Sequence, residues 1–161
     1  MNVKKIFVAG AGQMGNGIAQ VAIQNGFDVL MYDIAEDFVQ KGTRIIESNL
    51  DRKVKKGKLT ARDKTDILAK LDTTVELAQA GDVDVVIEAI PENEDLKKKL
   101  FSELDQICEE STVFASNTSA ISITKLSSVT RRPEKVIGMH FMYPVPVMRL
   151  IEMLLVQEIY F

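Results

Sequence analysis

Short apolar runs and longer amphipathic stretches alternate along the whole chain, and this alternation sets the expected architecture. Lys4 to Ala9 and Asp28 to Tyr32 read as strands. The segment between them, Gln13 to about Asn25, has helical spacing and ends at Gly26, a C-terminal stop. A long helix is expected over Glu36 to Lys55. Gly57 interrupts it, and Thr60 with Asp63 three residues on starts a second helix to about Ala69 in capping-box fashion. Strands follow at Asp72 to Val75 and at Val83 to Ala89, the latter bounded by Pro91. A helix from about Asn93 to Glu109, a strand at Val113 to Ala115 and a last strand over Lys135 to Met139 complete the pattern. Near-continuous apolar strands joined by amphipathic crossovers predict an α/β fold, a doubly wound and mostly parallel sheet with helices on both faces. No repeat, low-complexity tract or linker divides the chain, so residues 1 to 161 read as one domain, a length at which about 70% of the unfolded surface is buried.

The join between the first strand and the first helix carries chemistry. Gly10-Ala11-Gly12-Gln13-Met14-Gly15 directly follows Ile6-Phe7-Val8-Ala9, and Asp33 closes the second strand. In a dinucleotide-binding βαβ unit the first glycine permits the tight turn, the second lets backbone approach a pyrophosphate, and the third lets the helix pack on the strand. Gly10, Gly12 and Gly15 fit those roles, and the helix N–H groups from Gln13 and Met14 onward would face the phosphates. Asp33 stands near the spacing of about 20 residues expected for the acid that accepts the ribose hydroxyls. Its charge would repel a 2′-phosphate, and Ile34-Ala35-Glu36-Asp37 offers no cation to hold one. The unit therefore predicts a Rossmann-type domain that takes NAD(H) rather than NADP(H).

Composition narrows the class. A formal charge of −3 and a pI near 5.3 provide no basic field for nucleic acid, although Arg52, Lys53, Lys55, Lys56 and Lys58 cluster near the end of the long helix. Arg52 and Lys56, as i, i+4 neighbours, read either as a solvated helix face or as contacts to an anionic part of a substrate. The apolar stretch after Lys4-Lys5 breaks at Gly10, well short of the roughly 20 residues that span a bilayer. Neither membrane insertion nor secretion is expected, and a reducing cytoplasm is. The single cysteine, Cys108, falls on an apolar stripe with Leu96, Leu100, Leu104 and Ile107, which predicts a buried thiol and not a nucleophile.

A second set of candidates stands beyond later strands. Ser116-Asn117-Thr118-Ser119 follows Val113 to Ala115, and His140, the only histidine, follows Val136 to Met139. Ligands of open α/β sheets bind outside the carboxyl ends of the strands, so both groups should share a rim with the glycine turn. That position makes His140 a catalytic candidate. Glu152, taken alone, is uninformative.

With GAGQMGNGIAQ, VIEAIPEN, SNTSAISIT and GMHFMYPVPVMRLIE in order, residues 3 to 153 resemble the N-terminal domain of the 3-hydroxyacyl-CoA dehydrogenases, most nearly the bacterial 3-hydroxybutyryl-CoA members. The resemblance implies a reversible NAD-linked oxidation of an L-3-hydroxyacyl-CoA to the 3-ketoacyl-CoA, in fatty acid or butyrate metabolism, with an acyl-CoA as substrate. It implies His140 as the base, a task suited to an ordinary imidazole with a pKa of about 6.5. Glu152 would accept a hydrogen bond from the other ring nitrogen, Ser119 would bond the substrate oxygen, and Asn117 would sit at the substrate or nicotinamide side. Glu92 and Lys97, otherwise ordinary surface charges, would meet the nicotinamide half. Arg52 and Lys56 would pair with the phosphates of CoA.

The sequence departs from the family twice. The usual His-Phe-Phe-Asn-Pro is here His140-Phe141-Met142-Tyr143-Pro144, so a larger phenol replaces an amide that donates and accepts, with consequences for the nicotinamide fit or the pocket shape. The family's helical second domain, which closes over the acyl-CoA, adds an Asn and forms the dimer interface, does not follow within the 161 residues. The tail from Met153 to Phe161 reads as a final strand or the scar of a truncation. The expectation is a chain that binds NAD(H), turns over 3-hydroxyacyl-CoA weakly by itself, and associates through uncovered apolar surface, a homo-oligomer included. Two other readings are a non-catalytic NAD-binding module or partner subunit, and a hydroxy-acid dehydrogenase of the same fold acting on a substrate without CoA.

Overall fold

Paired side by side, the apolar runs form one sheet. The computed structural model describes residues 2–155, with strands β1 (Lys5–Ala9), β2 (Asp28–Tyr32), β3 (Leu71–Thr74), β4 (Val85–Glu88), β5 (Val113–Ser116), β6 (Val136–Phe141) and β7 (Ile151–Leu155). The helices are α1 (Gln13–Gln24), α2 (Glu36–Lys55), α3 (Ala61–Leu68), α4 (Glu94–Ile107) and α5 (Ile123–Ser127). The spatial order is β3-β2-β1-β4-β5-β6-β7, parallel through β6, with β7 antiparallel to it. This is the Rossmann-type doubly wound sheet, and its order reverses between β1 and β4.

Side chains alternate across the sheet, so each strand feeds two cores. Ile6 and Val8 of β1 pack with Ile18, Ile23, Ile46 and Leu50 of α1 and α2. Phe7 and Ala9 pack on the opposite face with Phe101 and Leu104 of α4 and with Phe114 and Leu126. Helix starts follow the polar signals. Thr60 and Asp63 form the reciprocal capping box ahead of α3, and the Asn93 carboxamide oxygen accepts from the Leu96 N–H to open α4.

The elements differ from the sequence reading chiefly at the later strands. β6 does not stop at Met139 but runs through His140 and Phe141, because β7 pairs His140 with Glu152 and Phe141 with Ile151. β7 starts two residues before Met153, and Val156 to Phe161 lie outside the described residues. Leu96 is exposed and leaves the apolar stripe, whereas Cys108 is buried as expected, its Sγ 3.3 Å from the Ala80 carbonyl oxygen. Burial pushes that thiol up to about 11, which removes it as a nucleophile.

One buried ion pair fastens the far end of the second core. Asp105 accepts from Arg132 Nε at 2.7 Å and from Arg131 Nε at 2.9 Å, and Arg132 also donates to the carbonyls of Asp105 and Cys108. Burial opposes the charged form of Asp105, but the two guanidinium contacts outweigh it and hold the carboxyl below its ordinary range. A depressed carboxyl contributes stability that is present above the unfolded value of about 3.9 and is lost as pH falls below it. Asp105→Asn should therefore cost about 3 kcal/mol at pH 7 by denaturant titration. The gap to the parent chain should narrow as the pH is lowered through and below the ordinary carboxylate range.

Candidate active site

The glycine turn is built by close backbone approach. Gly10 has φ +110, and its N–H donates to the Tyr32 carbonyl at 2.8 Å. A Cβ at Gly15 would lie 1.7 Å from the Gly10 carbonyl oxygen, so α1 can begin against β1 only with glycine there. A Cβ at Gly12 would meet nothing within 4 Å, which leaves the space over the turn open. Asp33 ties the second strand to this turn, with Oδ2 accepting the Ala11 N–H and Oδ1 the Ile34 N–H, each at 2.8 Å. Each carboxylate oxygen retains a lone pair for a ribose hydroxyl. Gln13 is exposed at the helix start, whereas the Met14 side chain packs against the core, leaving only its backbone to face the turn.

A cleft of about 710 Å³ opens from this turn between α1, α2 and the loop after β6. Asp33 and Gln13 stand at one end, Arg52 and Lys53 border α2, and Tyr143 and Val147 form the outer wall. Arg52 thus reaches the cleft, whereas Lys56 caps the end of α2 and is not among the residues that line this cleft. The cations that do border it with Arg52 are Lys41 and Lys53. Phe38, Lys41, Ile45, Asn49 and Arg52 follow one another by three or four residues, so the helical period marks this face in the sequence, and its Lys41 lies beyond the Ile34 to Asp37 segment that follows Asp33.

The second cluster assembles on the same rim. Ser119 Oγ lies 3.1 Å from His140 Nε2, and His140 Nδ1 lies 2.9 Å from Glu152 Oε2. The antiparallel register of β6 and β7 sets the second contact by placing the two residues opposite each other. With Glu152 ionised, the proton belongs on Nδ1 and the free Nε2 faces the Ser119 hydroxyl. Asn117 Oδ1 accepts the Phe141 N–H at 2.8 Å, which leaves its two amide hydrogens for a ligand.

Glu92 and Lys97 are not the ordinary surface charges that the unaided sequence reading takes them for. Lys97 is 1% exposed, because its ammonium lies 2.7 Å from Glu88 Oε1 and 3.0 Å from Glu92 Oε2. That leaves Glu92, half-exposed, as the member of the pair that can face a ligand directly. Glu92 Oε1 also accepts from the Thr118 hydroxyl and from the Ser119 N–H. Burial works against its charge, but Thr118, Lys97 and Ser119 together hold the carboxyl below its ordinary range. Glu88, fully buried beneath this cluster, carried no signal in the sequence beyond its place at the end of an apolar strand. Among the described residues no group of His, Cys, Asp or Glu has a metal-binding arrangement, and no helix is long and apolar enough to cross a membrane.

A glycine turn between β1 and α1 with an acid at the end of β2 defines a Rossmann-type dinucleotide-binding domain, and a paired histidine stands at its strand ends. Residues 5–158 match the family model described as 3-hydroxyacyl-CoA dehydrogenase, NAD binding domain. The chain belongs to that family, and its cofactor is NAD. It is 45% identical over 152 residues to a Bradyrhizobium diazoefficiens protein named 3-hydroxybutyryl-CoA dehydrogenase, covering 94% of this chain and 52% of that one. A Bacillus subtilis protein named "Probable 3-hydroxybutyryl-CoA dehydrogenase" is 46% identical over 96% of this chain and 54% of its own length. The crystal structure of (S)-3-hydroxybutyryl-CoA dehydrogenase PaaH1 from Ralstonia eutropha superposes with a TM-score of 0.92 at 47% identity, covering 94% of this chain and 54% of that one. The chain thus spans about half the length of the relatives it matches.

The two glycines separate folding from binding. Gly15→Ala should destabilise the chain by about 2 kcal/mol or more, since the added carbon meets backbone rather than a side chain that can move. Gly12→Ala should melt within a few degrees of the parent yet bind NADH at least tenfold more weakly by calorimetry, because its methyl occupies the space a pyrophosphate needs.

Proposed function

We propose that this chain is the cofactor-binding half of an NAD-dependent L-3-hydroxyacyl-CoA dehydrogenase acting on a short acyl chain such as 3-hydroxybutyryl-CoA, in fatty acid or butyrate metabolism. The observation that carries the reading is the Ser119–His140–Glu152 relay on the same strand-end rim as the dinucleotide turn. The open cradle over Gly12, the N-terminus of α1 and the Asp33 carboxylate fit NAD, which supplies the hydride acceptor when bound.

The chain's own groups supply the proton chemistry. His140 Nε2 takes the proton of the substrate's 3-hydroxyl as C3 loses its hydride, and the Nδ1–H bond to Glu152 steadies the imidazolium that forms. Ser119 donates to the substrate oxygen and holds it against the same ring nitrogen. Asn117 presents its free amide hydrogens at the substrate or nicotinamide side. Gly10, Gln13 and Met14 contribute the turn and helix N–H groups to the pyrophosphate, and Glu92 borders the nicotinamide half. Arg52 at the cleft offers a cation to the phosphates of CoA, with Lys56 one turn further along the helix.

The relay is open on one side. Ser119 is exposed, and the edge strand β7 that carries Glu152, with the loop before it, leaves Met148, Leu150, Ile151, Met153, Leu154 and Leu155 exposed. A surface of this kind is covered in the working protein, by further chain or by a second copy. Left uncovered, the relay admits water to the reacting carbon and the rate of the 161-residue polypeptide is low. A cytoplasmic setting accords with the single buried thiol.

Calorimetric titration of NADH into the 161-residue polypeptide, followed by acetoacetyl-CoA with absorbance recording NADH loss, tests the proposal. Binding is expected, with slow oxidation that falls by roughly 100-fold or more in His140→Ala. Failure to bind NADH, or oxidation indifferent to His140, would contradict it. A non-catalytic module would bind NADH without any oxidation that depends on His140. A preference for hydroxy or keto acids lacking CoA would transfer the site to that substrate class.

A further inference from the structure

Glu88, Lys97 and Ser116 take no direct part in that chemistry, yet they rank among the most deeply buried polar side chains of the chain, at 0%, 1% and 0% exposed. They form the base of a run of contacts that ends at the reacting atoms. Glu88 Oε1 accepts from Lys97 Nζ at 2.7 Å and from the Ile90 N–H at 2.8 Å, while Oε2 accepts the Ser116 hydroxyl at 2.5 Å. The same ammonium reaches Glu92 Oε2 at 3.0 Å. Glu92 Oε1 accepts the hydroxyl of buried Thr118 and the N–H of Ser119, whose Oγ lies 3.1 Å from His140 Nε2. Three separate segments, the end of β4, the first turn of α4 and the loop after β5, are thereby tied to one ammonium.

Burying the Glu88 carboxylate with the Lys97 ammonium adds little to stability, because desolvation of each ion opposes the attraction between them. What such a set does give is a fixed geometry, since each charged partner must be met at a set distance or left unpaired. We propose that Glu88 and Lys97 are positioning residues. They hold Glu92 in place, Glu92 fixes the Thr118-Ser119 backbone, and the Ser119 hydroxyl is thereby held against His140 Nε2. The proposal rests on Ser119 and His140 being the reacting pair and adds what keeps them paired. It also gives Lys97 a different task from direct contact with the cofactor.

Because His140 is the only histidine, ¹⁵N labelling of histidine gives one pair of ring signals from the whole chain. Ser119→Ala sets the Nε2 position expected when the hydroxyl is absent. Glu88→Gln and Lys97→Met should each displace the Nε2 signal toward that position while Nδ1, bonded to Glu152, stays where it is in the parent. Glu92→Gln alters a half-exposed side chain, so it keeps the fold even where the buried variants fail, and it should produce the same displacement. An Nε2 signal unchanged in Glu92→Gln, or in a folded Glu88→Gln, would overturn the proposal. The readout needs no turnover, so its failure is separable from failure of the dehydrogenase reading.

Discussion

The register of the parallel ladder through β1, β4, β5 and β6 is the constraint on which the rest of the structure depends. Ala9 pairs with Glu88, Glu88 with Ser116 and Ser116 with Gly138, so the strands reach the same rim in step. Both faces of these strands are buried, and a slip of one residue would turn every inward side chain to the opposite core. The rim position of the site is therefore a by-product of packing. Gly10 follows Ala9, Asn117 follows Ser116, and His140 lies two residues past Gly138, all at one edge of the sheet.

Much of this was legible in the sequence because it rests on local demands. The tight turn at Gly10, the close approach at Gly15 and the carboxylate at Asp33 each call for a particular residue type at a particular spacing, and such demands survive in a single sequence. The pairing of His140 with Glu152 was not legible from the residues alone, because it arises from an antiparallel edge strand twelve residues on, and an exposed glutamate in an apolar run carries no local mark. The extension of β6 past Met139 was hidden for the same reason. Lys97 misled in the other direction, since a lysine on an amphipathic helix is solvated by default. Only the tertiary meeting of β4, α4 and the loop after β5 supplies the two carboxylates that let it be buried. Lys56 stands one turn beyond Arg52 at the C-cap of α2, and the helical spacing alone does not say which of the two cations lines the cleft.

The polar interior divides by purpose. The Asp105–Arg132 pair closes the ends of α4 and the following turn, far from the rim, and it is a fastening. The Glu88–Lys97–Glu92 set lies directly beneath the rim and reaches the reacting side chains through Thr118 and Ser119. The contrast in location, at similar burial, is what distinguishes a structural ion pair from one that shapes a site. Tyr143 belongs to neither. It stands exposed at the outer wall of the cleft, where a phenol in place of an amide alters the shape of the entrance.

A crystal structure of the chain with NADH bound would test the central claim, that one rim holds both the cofactor and the reacting pair. The adenosine ribose is expected on Asp33, the pyrophosphate over Gly12 and Gln13, and the nicotinamide ring beside Asn117, with its C4 facing the space next to His140 Nε2 and Ser119 Oγ. A nicotinamide ring directed away from that space, with the adenosine half still on Asp33, would show that the two halves of the rim do not form one active site.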